Sequence, residues 1–292
     1  MARVLVVGGA GLLGQYVIRE ARARGHEVVG THRGPLPASG GWVSLDLRDV
    51  GRIASVVDEV RPGLVVNAAT LTDVDGCEAR PDEARTVNAL AAGALAEAAR
   101  RAGAGFVHVS TDYVFDGSGP ATEATSPNPL CVYGATKLEG ERLVLAAHRE
   151  AIVLRLSAVF GWNRMSAKTN AVTWILERLE RGEEARLFSD QRLTPTYAAT
   201  AAGAAFDLWG SASRGVFHVA SRDCLSRVEI GRAVADAFGI KHPRITPVTM
   251  SNVPLVAKRP AAPCLLVRKV EETLKRDMPG FRTCLDDMRA TR

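Results

Sequence analysis

Arg3-Val4-Leu5-Val6-Val7-Gly8-Gly9-Ala10-Gly11-Leu12-Leu13-Gly14 decides how the rest of the chain is read. A β-branched apolar run that stops at glycines predicts a buried parallel strand. Helical spacing over 12–24, closed by Gly25 as a C-cap, predicts the helix that follows. Between them Gly8, Gly11 and Gly14 stand three residues apart. Glycines remove Cβ atoms where the backbone turns sharply and where a pyrophosphate must approach. The helix start then offers unpaired amide donors to the phosphate. The strand before and the helix after set this motif above an ordinary glycine-rich turn.

Outward from this stretch the same rhythm repeats. Strands are expected at 27–31, 42–45, 64–66, 105–109 and 151–156, with helices at 50–60, 81–102 and 133–147. Alternation of this kind predicts an α/β fold, a Rossmann-type doubly wound parallel sheet with right-handed crossovers. After about residue 160 the rhythm changes. Helices are expected at 168–181, 196–208 and 227–238 and strands at 185–188 and 216–219, while 242–263 is proline-rich and reads as irregular. The expected division is a dinucleotide-binding domain over 1–160, rejoined by parts of 185–220, and a mostly substrate-binding part over 161–292. No Ser/Gly linker separates them.

Composition narrows the class. Of 292 residues, 47% are apolar and 24% charged, ordinary for a globular protein. The net charge of +5 is spread, with no run of like charges to suggest a nucleic-acid partner. The apolar run at 4–7 is too short for a membrane span or a signal peptide. Five scattered cysteines contain no Cys-x-x-Cys pair. Neither a zinc site nor a disulfide framework is therefore expected, and a reducing cytoplasm is the expected location.

The end of the second strand bears on the cofactor. NAD-binding folds usually carry an acidic residue there for the ribose hydroxyls. Here the residues are Thr31, His32 and Arg33, and Arg33 can pair with a 2′-phosphate, so NADPH is expected over NADH. Asp46 and Leu47 after the third strand are placed to face adenine. Ala68, Ala69 and Thr70 after the fourth leave room for the cofactor.

The chemistry is concentrated at Ser110-Thr111-Asp112-Tyr113-Val114-Phe115-Asp116-Gly117, Tyr133 and Lys137. Tyr133 and Lys137 are four apart on a helix and share one face. A free tyrosine has a pKa of about 10, and bringing it to neutrality requires about three units, roughly 4 kcal/mol of differential interaction. A lysine ammonium nearby favours the phenolate and acts in that direction. The matched acid then protonates the alkoxide formed when hydride reaches a carbonyl. Thr111, at the end of the fifth strand, is placed to donate to the carbonyl oxygen.

These residues resemble the dTDP-4-dehydrorhamnose reductase family of the extended short-chain dehydrogenase/reductase superfamily. The similarity runs through 61–69 into Thr72-Asp73-Val74-Asp75, is most specific over 110–117, and continues through 128–141. Asp190-Gln191, Pro195-Thr196 and Arg259-Pro260 are also similar. The resemblance implies NADPH- or NADH-dependent reduction of the C4 ketone of a dTDP-linked 6-deoxyhexulose to dTDP-L-rhamnose, and a homodimer. It implies Tyr133 as proton donor, Lys137 as its partner, and Thr111 at the substrate oxygen with Asp112 beside it. Gly11, Leu12 and Leu13 are implied on the pyrophosphate.

The chain departs from that pattern at Ala158, where the family commonly has a substrate-binding tryptophan, and in the loop 161–165. Trp162 is a candidate replacement or a packing residue. Arg192 and Arg259 are candidates for the substrate diphosphate, with Asn170 and Gln191 as further substrate contacts. His108 reads as a core histidine, and Asn88 as a locally bonded helix residue. Some family members use magnesium, but no compact carboxylate cluster supports a metal site. A related epimerase or dehydratase is an alternative. A non-catalytic one is a nucleotide-binding subunit, since the chain is also similar to the regulatory β subunit of methionine adenosyltransferase over 191–196 and 215–260.

Overall fold

A computed structural model of the chain describes residues 1–34 and 41–292. Its strands are β1 (Arg3–Val7), β2 (Glu27–His32), β3 (Trp42–Ser44), β4 (Leu64–Asn67), β5 (Gly105–Thr111), β6 (Ile152–Leu156), β7 (Ala185–Phe188), β8 (Arg192–Leu193), β9 (Gly215–His218), β10 (Leu225–Ser226) and β11 (Ile245–Val248). Seven of them form one sheet in the order β3-β2-β1-β4-β5-β6-β9, and every pairing in it is parallel.

Strand residues explain the layering. Side chains alternate between sheet faces, so Val4 and Val6 enter one apolar core while Leu5 and Val7 enter the other. The first core holds Val17, Ile175, Phe206 and Val234 from helices Leu12–Ala23, Ala171–Glu180, Ala198–Gly210 and Arg227–Ala237. The second holds Val57, Leu95 and Val144 from helices Arg52–Val60, Ala91–Arg101 and Val132–Ala147. Both faces are covered, as an all-parallel sheet requires. The strand order reverses at β1, between β2 and β4, which puts the ligand crevice at the carboxyl ends of these strands.

The second half of the chain returns to this sheet, because β9 pairs with the outer side of β6. Two small sheets lie outside it, β8 with β10 antiparallel and β7 with β11 parallel.

Three expectations are corrected. The segment 242–263 is not wholly irregular: Ile245–Val248 pairs with β7, and Pro247 is tolerated in a two-stranded edge. The helix expected at 81–102 is interrupted by a π-helical turn, Thr86–Leu90. Cys224 and Cys264 are joined by a disulfide, with Cα atoms 5.7 Å apart across 40 residues of sequence. The bond ties the strand before helix Arg227–Ala237 to the segment after Arg259. Helices Val74–Ala79, Arg268–Leu274 and Phe281–Ala290 fall outside the expected elements.

Candidate active site

A cavity of about 970 Å³ opens at the carboxyl ends of β1, β2, β4 and β5. Its first wall is the turn after β1. Gly8 has φ 78°, and a Cβ there would lie 2.9 Å from the Ala69 backbone. A Cβ on Gly14 would meet the Gly8 carbonyl oxygen at 2.1 Å. Helix Leu12–Ala23 begins at Gly11 with no side chain capping it. Its first-turn amides are thus left to an anion at the cavity wall formed by Gly8, Gly11, Leu12 and Leu13. Gly14 does not line the cavity and acts through packing.

Thr31 holds the turn in place. Its hydroxyl accepts from the Gly8 amide at 3.0 Å, and its carbonyl accepts from the Gly9 amide at 3.1 Å. His32, Arg33, Asp46 and Leu47 line the same end, and Ala68, Ala69 and Thr70 line the middle. His32 Nδ1 accepts from the Gly34 amide at 3.0 Å. Asp46 is held below the usual carboxylate range by its hydrogen bond from Arg48, with Arg33 adding to the effect. Arg33 lines this end, while Arg48 lies outside the lining and is paired with Asp46 and Glu83. Arg48 went unremarked in the sequence because it follows the strand rather than ending it.

Thr111, Asp112, Tyr133 and Lys137 meet across the cavity. Thr111 donates to Asp112 Oδ1 at 3.0 Å, and Ser157 donates to Asp112 Oδ2 at 2.5 Å. Burial nevertheless pushes Asp112 up to about 6. The expectation that lysine acidifies the phenol is not met in this geometry. Desolvation raises the Tyr133 hydroxyl well above its ordinary value, and the facing Thr111 hydroxyl offsets only part of this. Lys137 itself is pushed down to about 8 by burial. Its Nζ donates to the Val109 carbonyl at 2.6 Å and lies 3.5 Å from His108 Nε2. The site thus holds a neutral, protonated phenol.

His108 and Asn88 do more than pack. Asn67 Oδ1 accepts the Ala69 amide, which turns its Nδ2 toward His108 Nδ1 at 3.2 Å. That assigns the His108 proton to Nε2, the nitrogen facing Lys137. Asn88 is not locally bonded as expected. Its Oδ1 accepts from Thr70 Oγ1 at 2.7 Å and the Leu71 amide at 2.9 Å, and its Nδ2 donates to Thr136 Oγ1 at 3.2 Å. It joins the cavity's middle wall to the helix that carries Tyr133 and Lys137.

On the substrate side, Ala158 and Asn170 line the cavity. Asn170 is committed to capping: Oδ1 accepts the Val172 and Thr173 amides, and Nδ2 donates to the Gly161 carbonyl. Trp162 does not replace the absent wall, since its Nε1 donates to the Met288 carbonyl and its ring packs against Phe238. Arg192 lies outside the cavity and is spent on Glu229 and the Cys224 carbonyl. Arg259 also stays outside the lining, in a 2.9 Å ion pair with Asp75. Gln191 is fully buried, and its Oε1 accepts from Arg227 Nε at 2.6 Å. Arg227 lines the cavity and was missed, because the first residue of an amphipathic helix reads as solvated charge. Among the described residues no group of three or more His, Cys, Asp or Glu side chains is placed to hold a metal ion.

This geometry meets a family model described as the RmlD substrate binding domain, which matches residues 2–291. The chain belongs to that family. A probable low-salt glycan biosynthesis reductase, Agl14, of Haloferax volcanii is 36% identical over 98% of this chain and 95% of its own length. The dTDP-4-dehydrorhamnose reductase of Aggregatibacter actinomycetemcomitans is 31% identical over 99% of both chains. The mouse methionine adenosyltransferase 2 subunit beta is 31% identical over 96% of this chain and 85% of its own. Among solved structures, the dTDP-4-dehydrorhamnose reductase of Bacillus anthracis in complex with NADP superposes with a TM-score of 0.90 at 26% identity, covering 100% and 99% of the two chains. The sheet is thus the Rossmann-type sheet of the family, and Tyr133, Lys137 and Thr111 stand at its ligand crevice.

Proposed function

We propose that this member of the RmlD family is an NAD(P)H-dependent oxidoreductase that reduces a nucleotide-activated 4-keto-6-deoxy sugar. In substrate and product it is most like the enzymes that make dTDP-L-rhamnose. One observation carries the reading: Tyr133 and Thr111 line the same cavity as the Gly8–Gly11 turn. The residues fit a dinucleotide, since Gly8 and Gly11 line the cavity without side chains and the helix start beside them is uncapped. A bound nicotinamide supplies the hydride.

The protein's own groups do the rest. Thr111 orients the carbonyl oxygen, and Tyr133 gives its phenolic proton to that oxygen as the alcohol forms. Lys137, one turn further along the same helix and lining the same cavity, favours the charge of the resulting phenolate. Arg33, which lines the cavity at the end of β2, favours NADPH over NADH, and Michaelis constants for the two test this. A homodimer and a cytoplasmic location, both expected from the sequence, complete the reading. Light scattering checks the first and subcellular fractionation the second.

The mouse relative favours a second reading, a non-catalytic nucleotide-binding subunit. NADPH oxidation with a dTDP-4-keto-6-deoxy sugar separates the two. Turnover that Tyr133→Phe abolishes supports the reductase. Cofactor binding with no turnover by either protein supports the subunit.

A further inference from the structure

Cys224 and Cys264 are bonded to each other outside the lining of the main cavity. Cys224 precedes β10, which pairs with β8 so that Leu225 faces Leu193 and Ser226 faces Arg192. Cys264 belongs to a segment that meets β8 from the other side. There the Arg192 amide donates to the Ala261 carbonyl at 2.7 Å, and the Leu265 amide donates to Thr194 Oγ1 at 3.1 Å. β8 is thus held between the two cysteine-bearing segments, and the disulfide clasps them around it.

Side chains span the same clasp. Gln191 Nε2 donates to the Pro260 carbonyl at 3.2 Å, and Gln191 Oε1 accepts from Arg227 Nε at 2.6 Å. Arg192 Nη2 donates to the Cys224 carbonyl at 2.7 Å. What the clasp holds reaches the cavity, because Leu193 and Arg227 line it together with Thr111 and Tyr133. Beyond the bond, the Cys264 carbonyl accepts from the Ala121 amide at 2.8 Å. Leu265 then packs with Val114, Phe115 and Leu138, the last on the helix that carries Tyr133 and Lys137.

We infer that Cys224 and Cys264 form a reversible redox switch that sets how firmly the Leu193–Arg227 wall of the cavity is held. Cys224 is half-buried and Cys264 is 1% exposed, so exchange begins at Cys224. In the oxidising direction the Cys224 thiolate attacks a small disulfide of the glutathione class and releases one small thiol. The Cys264 thiolate then attacks the Cys224 sulfur of the mixed disulfide, displaces the second small thiol and closes the bond. Two electrons and two protons pass from the pair to the small disulfide, which leaves as two thiols. Two small thiols reverse the sequence. With the bond open, the two segments are joined through β8 by hydrogen bonds, which open far more readily than a covalent link, and the wall gains freedom. The resulting loss of substrate affinity rests on the proposed reductase function; the looser wall does not.

The full chain, equilibrated in glutathione buffers from reducing to oxidising, tests this by thiol counting, amide hydrogen exchange and keto-sugar kinetics. Free thiols are expected to fall from five to three across the series, since Cys77, Cys131 and Cys284 are free and buried. Reduction is expected to speed exchange at the Arg192 and Leu265 amides about tenfold or more, with the Gly9 amide unchanged. KM for a dTDP-4-keto-6-deoxy sugar is expected to rise about threefold or more on reduction, with KM for NADPH unchanged. Cys224→Ser/Cys264→Ser is expected to show the reduced-state values in every buffer. Equal exchange in both states, a redox dependence that persists in the double variant, or a pair that does not convert overturns the switch. Faster exchange at an unchanged KM overturns its link to the cavity. If exchange responds while no keto-sugar is reduced in either state, the switch stands and the reductase reading fails. If keto-sugar is reduced and neither exchange nor KM responds, the reverse holds.

Discussion

Lys137 Nζ donates to the Val109 carbonyl at 2.6 Å and lies 3.5 Å from His108 Nε2, on the nitrogen that carries the imidazole proton. Burial pushes this lysine down to about 8. Its ammonium is therefore lost near the working pH range rather than far above it. The rate of reduction at saturating NADPH is expected to fall above about pH 8 with the loss of one proton. A pH profile of kcat checks this. Lys137→Arg, which stays charged, moves that limb to higher pH, and a limb that stays in place assigns the titration elsewhere.

Asp112 makes a stability prediction of definite sign. Its folded pKa is raised from 3.8 to about 6 by burial, so the folded state binds the proton more tightly than the unfolded chain. The favourable contribution is full below 3.8 and is lost as pH rises through about 6. The loss is about 3 kcal/mol on linkage grounds. Urea unfolding of Asp112→Asn is expected to show no such loss, so its stability gains on the parent between about pH 4 and pH 7. Parallel curves for the two proteins contradict this.

His218 acts in the opposite direction. It is fully buried, neither ring nitrogen has a hydrogen-bond partner, and desolvation lowers it to about 3. Buried His108 is also lowered. The unfolded chain binds these protons and the folded chain does not. Stability is thus complete above about pH 6.5 and declines as pH falls, by about 1.4 kcal/mol per pH unit for each histidine. His218→Phe is expected to reduce the loss of stability on acidification by about 1.4 kcal/mol per pH unit, as read by chemical denaturation between pH 4 and 6.

The Cys224–Cys264 bond closes a loop of 40 residues. Loop-closure entropy puts its contribution at about 4 kcal/mol. The Cys224→Ser/Cys264→Ser double variant is expected to unfold at lower denaturant than the oxidised parent and to match the parent after reduction. A difference that survives reductant assigns the effect to packing instead. In a reducing cytoplasm the pair is held as thiols, and thiol counting on freshly extracted protein reads that state.

Much of this architecture is legible in the chain. The β1 stretch and the alternation after it define the parallel sheet because strand and helix periods differ so sharply. Tyr133 and Lys137 share a face because helical geometry allows nothing else. What escaped depends on distance in sequence. The Asn88 side chain reads as a helix polar group until Thr70 and Thr136 are seen on either side of it. Arg192 and Arg227 are equivalent as letters, and only the fold pairs the first with Glu229 and turns the second into the cavity. The phenol's raised pKa is a burial effect, and no spacing rule contains it.

The central claim is that hydride reaches a sugar carbonyl while Tyr133 supplies the proton. NADPH deuterated at the transferring position of nicotinamide C4, incubated with the enzyme and a dTDP-4-keto-6-deoxy sugar, tests it directly by magnetic resonance of the product. Deuterium at sugar C4, formed by the parent protein and not by Tyr133→Phe, is the predicted result. Unlabelled sugar, or label incorporated equally well by the variant, contradicts the account.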